Sequence, residues 1–378
     1  MGDQQKLSEA VPLAERVRPL VRPNLHEIKP YVPGRTIAEV QKEFGLHDVV
    51  KLASNENPLG PSKKAIAAIQ QLLSELNRYP DGAAVDVREA IAKHVQLTPE
   101  HVFVGNGSDE IIKMIAETFL QPDDEVIVPF PSFAQYNFGA QVMGAKVVSV
   151  PLTADFQYDF EAMKARITKR TKLIYVCSPN NPTGTWTTHT QVKSFLEEIP
   201  EDLVVILDEA YLEYVDSPDP LHSLEFISEG KPVLSLRTFS KMYGLAGLRL
   251  GYALGDPGLI RFLHQVREPF NVNAVAQVGA AAALQDHEHV EACRAANQSG
   301  RLQFYKGLKE LGIPYITTQG NFLLAQVGDG MRVFEALERY GVIVRAGFPG
   351  LQEYVRISIG TEAENERCLA ALAQVLRA

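Results

Sequence analysis

Lys241 stands in Leu234-Ser-Leu-Arg-Thr-Phe-Ser-Lys241-Met-Tyr-Gly-Leu-Ala-Gly-Leu-Arg249, where a strand-like run breaks into hydroxyls, one lysine and then glycines. Open α/β sheets collect ligands at the carboxyl ends of their strands, and a lysine amine placed there can form a Schiff base with a carbonyl compound. Thr238, Ser240 and Arg249 could grip a phosphate, because hydroxyls donate and a guanidinium matches phosphate in a bidentate fork. A surface lysine in a polar loop, followed by a structural arginine, explains this stretch about as well when it is taken alone.

Three further features follow apolar runs. Gly105-Asn-Gly107-Ser108-Asp109-Glu110 comes after Val102-Phe-Val and opens a helix. Free N–H groups and the helix dipole favour phosphate there, with Ser108 adding a hydroxyl. A capped helix start with acidic first-turn residues fits equally well. The stretch is neither a full Gly-x-Gly-x-x-Gly, since Glu110 holds the last place, nor a Walker P-loop. Ser178-Pro-Asn-Asn181-Pro182-Thr-Gly184 specifies a turn, in which the Asn181 amide could donate to an anionic ring oxygen. Asp208-Glu-Ala-Tyr211 ends the very apolar run 203–207. A carboxylate is costly to bury there unless a cation meets it. A protonated pyridine nitrogen would be such a partner, and the pairing strengthens the ring as an electron sink. A local arginine or the cap of the next helix would also satisfy Asp208. Tyr211 could reach the oxygen of the same ring. Each feature has an ordinary structural explanation, but four in this order on successive strand ends are poorly explained by chance.

The elements that must position these residues are legible as apolar runs. From His101 the strands are Val102-Phe-Val, Val126-Ile-Val, Val147-Val-Ser-Val, Leu173-Ile-Tyr-Val, 203–207, Val233-Leu-Ser-Leu and Leu250-Gly-Tyr-Ala. Helices are expected at 109–119, 133–142, 160–167, 191–199 and 221–227. This alternation predicts an α/β fold: a mostly parallel seven-stranded sheet with helices on both faces. The last two strands are too close for a helical crossover, so one is expected to be antiparallel. Ser62 caps a further helix. Residues 256–312 read as nearly all helix, broken at Pro269, and the remainder as a smaller α+β unit. Residues 1–60 and 287–378 are assigned to an N-terminal arm and small domain, and 61–286 to the large domain. Residues 1–35 are rich in Pro, Arg and Val, and 25–34 is expected to be an extended arm.

The chain has 378 residues, 46 % hydrophobic and 22 % charged, with a formal net charge of −9, so it carries no overall basic footprint for nucleic acid. No apolar run is long enough to span a bilayer, and the first residues lack the apolar core of a signal peptide. Cys177, Cys293 and Cys368 are odd in number and scattered, which favours a reducing cytoplasm over a disulfide framework or a metal site.

Together, Leu52-Ala-Ser-Asn-Glu-Asn-Pro58, Arg78-Tyr-Pro-Asp81, the Asn181 turn, Leu207-Asp-Glu-Ala-Tyr211, Thr238-Phe-Ser-Lys241, Gly244-Leu-Ala-Gly-Leu-Arg249 and Val355-Arg-Ile-Ser-Ile-Gly360 give a resemblance over nearly the whole chain. It resembles the fold type I pyridoxal-phosphate aminotransferases, which are aspartate aminotransferase-like in fold, and within them the histidinol-phosphate aminotransferases. The resemblance implies that Lys241 carries the Schiff base and moves the proton, that Asp208 pairs with the pyridine nitrogen, and that Asn181 and Tyr211 bond the ring oxygen. Ser108, the backbone amides of Asp109 and Glu110, Thr238, Ser240 and Arg249 would hold the cofactor phosphate, and Phe133 would stack on the ring. Tyr79 would reach the cofactor phosphate of a second subunit, which requires a homodimer. Arg356 would clamp a substrate carboxylate. Arg345 and Tyr31 would meet a distal phosphate, with Asn55 and Asn321 nearby. The implied partners are a small amino donor and 2-oxoglutarate, and the alternatives are an aromatic aminotransferase, a related decarboxylase or a cofactor-sensing regulator. A regulator would need a fused DNA-binding domain, and the arm is too short and Pro-rich to be one.

Overall fold

The computed structural model describes residues 13–30 and 32–377. In chain order its strands are β1 (Val50–Lys51), β2 (Val102–Gly105), β3 (Glu125–Phe130), β4 (Lys146–Pro151), β5 (Thr171–Cys177), β6 (Val204–Asp208), β7 (Val233–Thr238), β8 (Gly251–Gly255), β9 (Tyr315–Ile316), β10 (Phe322–Gln326), β11 (Val342–Ile343) and β12 (Tyr354–Ser358). Seven of them form the main sheet, in the order β2-β8-β7-β6-β5-β3-β4. Only β8 runs against its neighbours β2 and β7, and the other pairs are parallel. The short link from β7 to β8 leaves no room for a crossover helix, so the chain must turn back.

Side chains alternate across this sheet into two apolar cores. Ile127, Ile174 and Val205 point into one, and Val126, Leu173 and Ile206 into the other. Both faces are covered, which is why these strands are almost continuously apolar. A third core, with Phe304, Leu323, Val333, Val355 and Leu372, belongs to the smaller unit. There β10 lies between antiparallel β9 and β12, and β1 pairs with β11. The helix His287–Glu310 links the cores, burying Cys293 in the first and Phe304 in the third.

Of the stretch 25–34 expected to be extended, the described residues from Ile28 on carry no helix, and only 25–27 fall in a 3-10 turn. Leu13–Val17 is an α-helical turn, and Arg18–Leu20 and Pro23–Glu27 are 3-10 turns. Pro19 and Pro23 stand at the starts of the two 3-10 turns, where a missing N–H costs nothing. Asn24 Nδ2 donates to the carbonyls of Gln141 and Val142 at 2.6 and 3.0 Å, and so fastens the arm to the free end of the helix Ala134–Met143. Among the described residues, no helix is long and apolar enough to cross a membrane.

Candidate active site

Asp208 is the last residue of β6 and is buried. Its Oδ2 accepts from the Tyr136 hydroxyl at 2.6 Å, and its Oδ1 from the Ala210 amide at 3.1 Å. Burial pushes its carboxyl up from 3.8 to about 6; the two hydrogen bonds oppose the rise, and the nearby Asp109 and Glu209 charges add to it. The local arginine that could have satisfied it goes elsewhere: Arg237 Nε donates to Glu209 Oε2 at 2.9 Å. Ser223 and Ser235 donate to the same oxygen. Among the described residues, Asp208 makes hydrogen bonds but no ion pair, so a cation is still wanted beside it.

Lys241 follows β7 and is partly buried. Its amine donates to the Ser54 carbonyl at 3.0 Å and lies 5.8 Å from the centre of the Tyr211 ring. Burial, followed by the positive charge of Arg356, lowers its proton affinity from 10.5 to about 8, while Glu56 and Asp109 act the other way. A useful fraction of the amine is therefore free near neutrality. The loop carrying it is held from the front. Asn57 Nδ2 donates to the Met242 carbonyl at 2.7 Å, and a Cβ on Gly244 would stand 2.1 Å from the Gly60 carbonyl oxygen. Only glycine permits that approach, which also needs its positive φ of 67°.

The residues read as phosphate donors lie around one helix end. The helix Ser108–Phe119 starts after Gly107 without a side-chain cap, so its first amides are free for an anion. Gly251 of β8 backs this end closely: a Cβ there would lie 2.5 Å from the Ser108 amide. A Cβ on Gly107 would lie 2.6 Å from Arg249 Nη2. Arg249 reaches across to Asp109 Oδ2 at 3.2 Å. The Glu110 carboxylate turns away and accepts from the Asn106 amide and Asn271 Nδ2, both at 2.7 Å. Thr238 and Ser240 are buried, and Thr238 Oγ1 accepts from the Ser240 amide at 3.1 Å.

The smaller unit supplies the other wall. Arg356 of β12 donates to the Ala53 carbonyl at 2.6 Å and to Asn181 Oδ1 at 2.5 Å, and lies 5.3 Å from the ring centres of both Phe322 and Phe348. Because arginine only donates, this contact fixes the Asn181 amide with its nitrogen free to donate onward. Asn55 Nδ2 donates to the Tyr211 hydroxyl at 2.9 Å, and Asn321 Nδ2 to the Asn55 carbonyl at 3.0 Å. Arg345 exchanges both backbone hydrogen bonds with Arg356, at 3.0 and 2.7 Å, which puts the two side chains on one face. Arg345 Nη2 donates to the Val32 carbonyl at 3.4 Å, so the arm lies over it.

Phe133 is half-buried and meets Tyr136 edge-on at 5.6 Å. Tyr79 stands apart, 82 % exposed and stacked on Phe270 at 4.8 Å. Tyr31 lies outside the described residues. Sequence reasoning missed Tyr136 and Ser358. Each left a signal: Tyr136 stands three residues after Phe133, and Ser358 two residues after Arg356 in a strand-like run.

The donor set fits pyridoxal phosphate. Among the described residues a buried carboxylate makes no ion pair, a lysine has a lowered proton affinity, and an uncapped helix end sits with two hydroxyls and an arginine. Residues 47–372 match the family described as aminotransferase class I and II, and the chain belongs to that family. Its fold is that of aspartate aminotransferase: the Thermus thermophilus enzyme solved with maleate superimposes with a TM-score of 0.81 at 25 % identity, covering 94 % of this chain and 99 % of that one. Its curated relatives narrow the class. The histidinol-phosphate aminotransferase of Moorella thermoacetica is 46 % identical over 361 residues, covering 95 % of this chain and 93 % of that protein. The histidinol-phosphate aminotransferase of Sinorhizobium meliloti, solved in complex with pyridoxal-5'-phosphate, matches with a TM-score of 0.87 at 26 % identity, over 94 % of this chain and 97 % of that one.

Proposed function

We propose that this chain moves the amino group of histidinol phosphate to 2-oxoglutarate, giving imidazole acetol phosphate and glutamate in histidine biosynthesis. The observation that carries the reading is the Arg345–Arg356 pair, side by side on the wall of a site that also holds Lys241 and Asp208. Two guanidiniums suit a donor ending in phosphate and an acceptor with two carboxylates. When bound, pyridoxal phosphate supplies an aldehyde that condenses with amines and a ring that accepts the electron pair left at the donor carbon.

The chain's residues do the rest. Lys241 Nζ would take the proton from the donor carbon and return it two atoms further on, beyond the nitrogen, a transfer suited to an amine lowered to about 8. Asp208, steadied by Tyr136 and Ala210, accepts from the ring N–H. The free amide nitrogen of Asn181 and the Tyr211 hydroxyl donate to the ring oxygen. Ser108, the Asp109 and Glu110 amides, Thr238, Ser240 and Arg249 hold the cofactor phosphate, and Phe133 covers the ring. Arg356 takes the α-carboxylate of glutamate or 2-oxoglutarate and has no such partner on histidinol phosphate. Arg345 with Tyr31 takes the distal phosphate, and Asn55 and Asn321 shape the wall between. Tyr79 serves the site of a second copy in a homodimer. The expected compartment is the cytoplasm.

Single-turnover spectroscopy tests this. The cofactor band should convert rapidly with low concentrations of histidinol phosphate. Rapid conversion with phenylalanine alone would make the chain an aromatic aminotransferase, and release of carbon dioxide would make it a decarboxylase.

A further inference from the structure

Ser358 ends β12, two residues after Arg356 and on the same face. It is buried, and its one hydroxyl makes two contacts with one residue: it accepts from the Asn55 amide at 2.8 Å and donates to Asn55 Oδ1 at 3.1 Å. Asn55 has a φ of +54°, in the left-handed region, and asparagine is among the few side chains that tolerate it. The Asn321 amide closes the third side by donating to the Asn55 carbonyl. With Oδ1 accepting from Ser358, Nδ2 faces the Tyr211 hydroxyl at 2.9 Å; the reversed amide would leave the Ser358 O–H without this acceptor.

That orientation decides what Tyr211 can do. A phenol that accepts from an amide keeps its own proton for another acceptor. The reversed Asn55 amide would present Oδ1 to Tyr211 and consume that proton. The contact also opposes the burial that pushes the Tyr211 hydroxyl upward.

We propose that Ser358 is a positioning residue: by locking the Asn55 amide it holds the Tyr211 hydroxyl as a hydrogen-bond donor toward the cofactor ring. The first half concerns the chain alone, and the second rests on the function proposed above. Two side chains of one strand thereby grip one segment, Arg356 at Ala53 and Ser358 at Asn55. The residue that would clamp a substrate carboxylate and the residue that orients the hydroxyl are thus mechanically joined.

The test uses the full chain without cofactor, carrying 13C at the hydroxyl-bearing ring carbon of its tyrosines. The Tyr211 signal is identified by its loss in Tyr211→Phe. Ser358→Ala should move it in the same direction as Asn55→Ala, and Ser358→Thr, which keeps the hydroxyl, should leave it in place. Adding Ser358→Ala to Asn55→Ala should shift it no further, since both act through one contact. An unmoved signal in Ser358→Ala, or a full additional shift in the double variant, overturns the proposal. Should the alanine variant fold poorly, Ser358→Cys keeps the volume, weakens both bonds and draws the same distinction. In the loaded protein, Ser358→Ala should displace the midpoint of the cofactor band's pH titration by roughly 0.5–1 pH unit, the value of one hydrogen bond, with Ser358→Thr restoring it. A midpoint that stays in place while the Tyr211 signal moves overturns the second half. A chain that shows the full tyrosine pattern yet never takes up pyridoxal phosphate refutes the proposed function and leaves the Ser358 lock standing.

Discussion

Replacing Asp208 with asparagine should make the cofactor-free protein gain stability relative to the parent as the pH rises, while removing its hold on the cofactor. The Asp208 carboxyl is raised from 3.8 to about 6, mainly by burial. In the unfolded chain it returns to its ordinary value, so the native state binds this proton more tightly. The stability it contributes is fully present below pH 3.8 and is lost as the pH climbs through about 6. A gap of about two pH units corresponds to about 3 kcal/mol. About 2 kcal/mol of that falls between pH 4.5 and 8. Asparagine keeps the shape and cannot ionise. Urea unfolding of both cofactor-free proteins across that range isolates the effect, because other titrating groups cancel in the difference. The variant's advantage should grow by about 2 kcal/mol toward pH 8. Pyridoxal phosphate should then stabilise the parent protein much more than the variant. A stability difference independent of pH would refute the argument that Asp208 is a buried carboxylate waiting for a cation.

Lys241 should capture pyridoxal phosphate at a rate that rises about tenfold per pH unit and levels off above about 8, since only the neutral amine attacks. A rise continuing to pH 10 in stopped-flow absorbance would contradict the lowered proton affinity, and Lys241→Ala should lose the cofactor band. Arg345→Ala should cut kcat/KM for histidinol phosphate by roughly 10- to 100-fold, the value of a charge-assisted hydrogen bond, and should affect phenylalanine much less; equal losses would remove its assigned role. Tyr79→Ala should loosen cofactor retention although the side chain is exposed in the single chain. Sedimentation that finds a fully active monomer would refute the shared site.

The local code carried much of this molecule. The seven apolar runs became β2 to β8, and the short gap before Gly251 forced the antiparallel turn. Lys241, Asp208, Asn181 and Ser108 were legible because each stands where a strand ends and a polar turn or helix begins, and a parallel sheet gathers those ends at one edge. The short turns at Arg18–Leu20 and Pro23–Glu27 were not legible, because proline fits the first turn of a 3-10 segment as well as it fits an extended run.

What the chain alone determined was therefore which residues would meet at the sheet edge and what chemistry their types allow. Tertiary structure decided how each is held. The Tyr136 hydroxyl reaches Asp208 across 72 residues, and the Asn55 amide reaches Tyr211 across 156. It was also packing that sent Arg237 to Glu209 and not to Asp208. Such contacts depend on sheet register and on the close approach of loops, such as Gly244 against Gly60. No period of two or 3.6 records them, because a hydrogen bond between distant elements is set by where their backbones pack and not by the spacing of residues along either one.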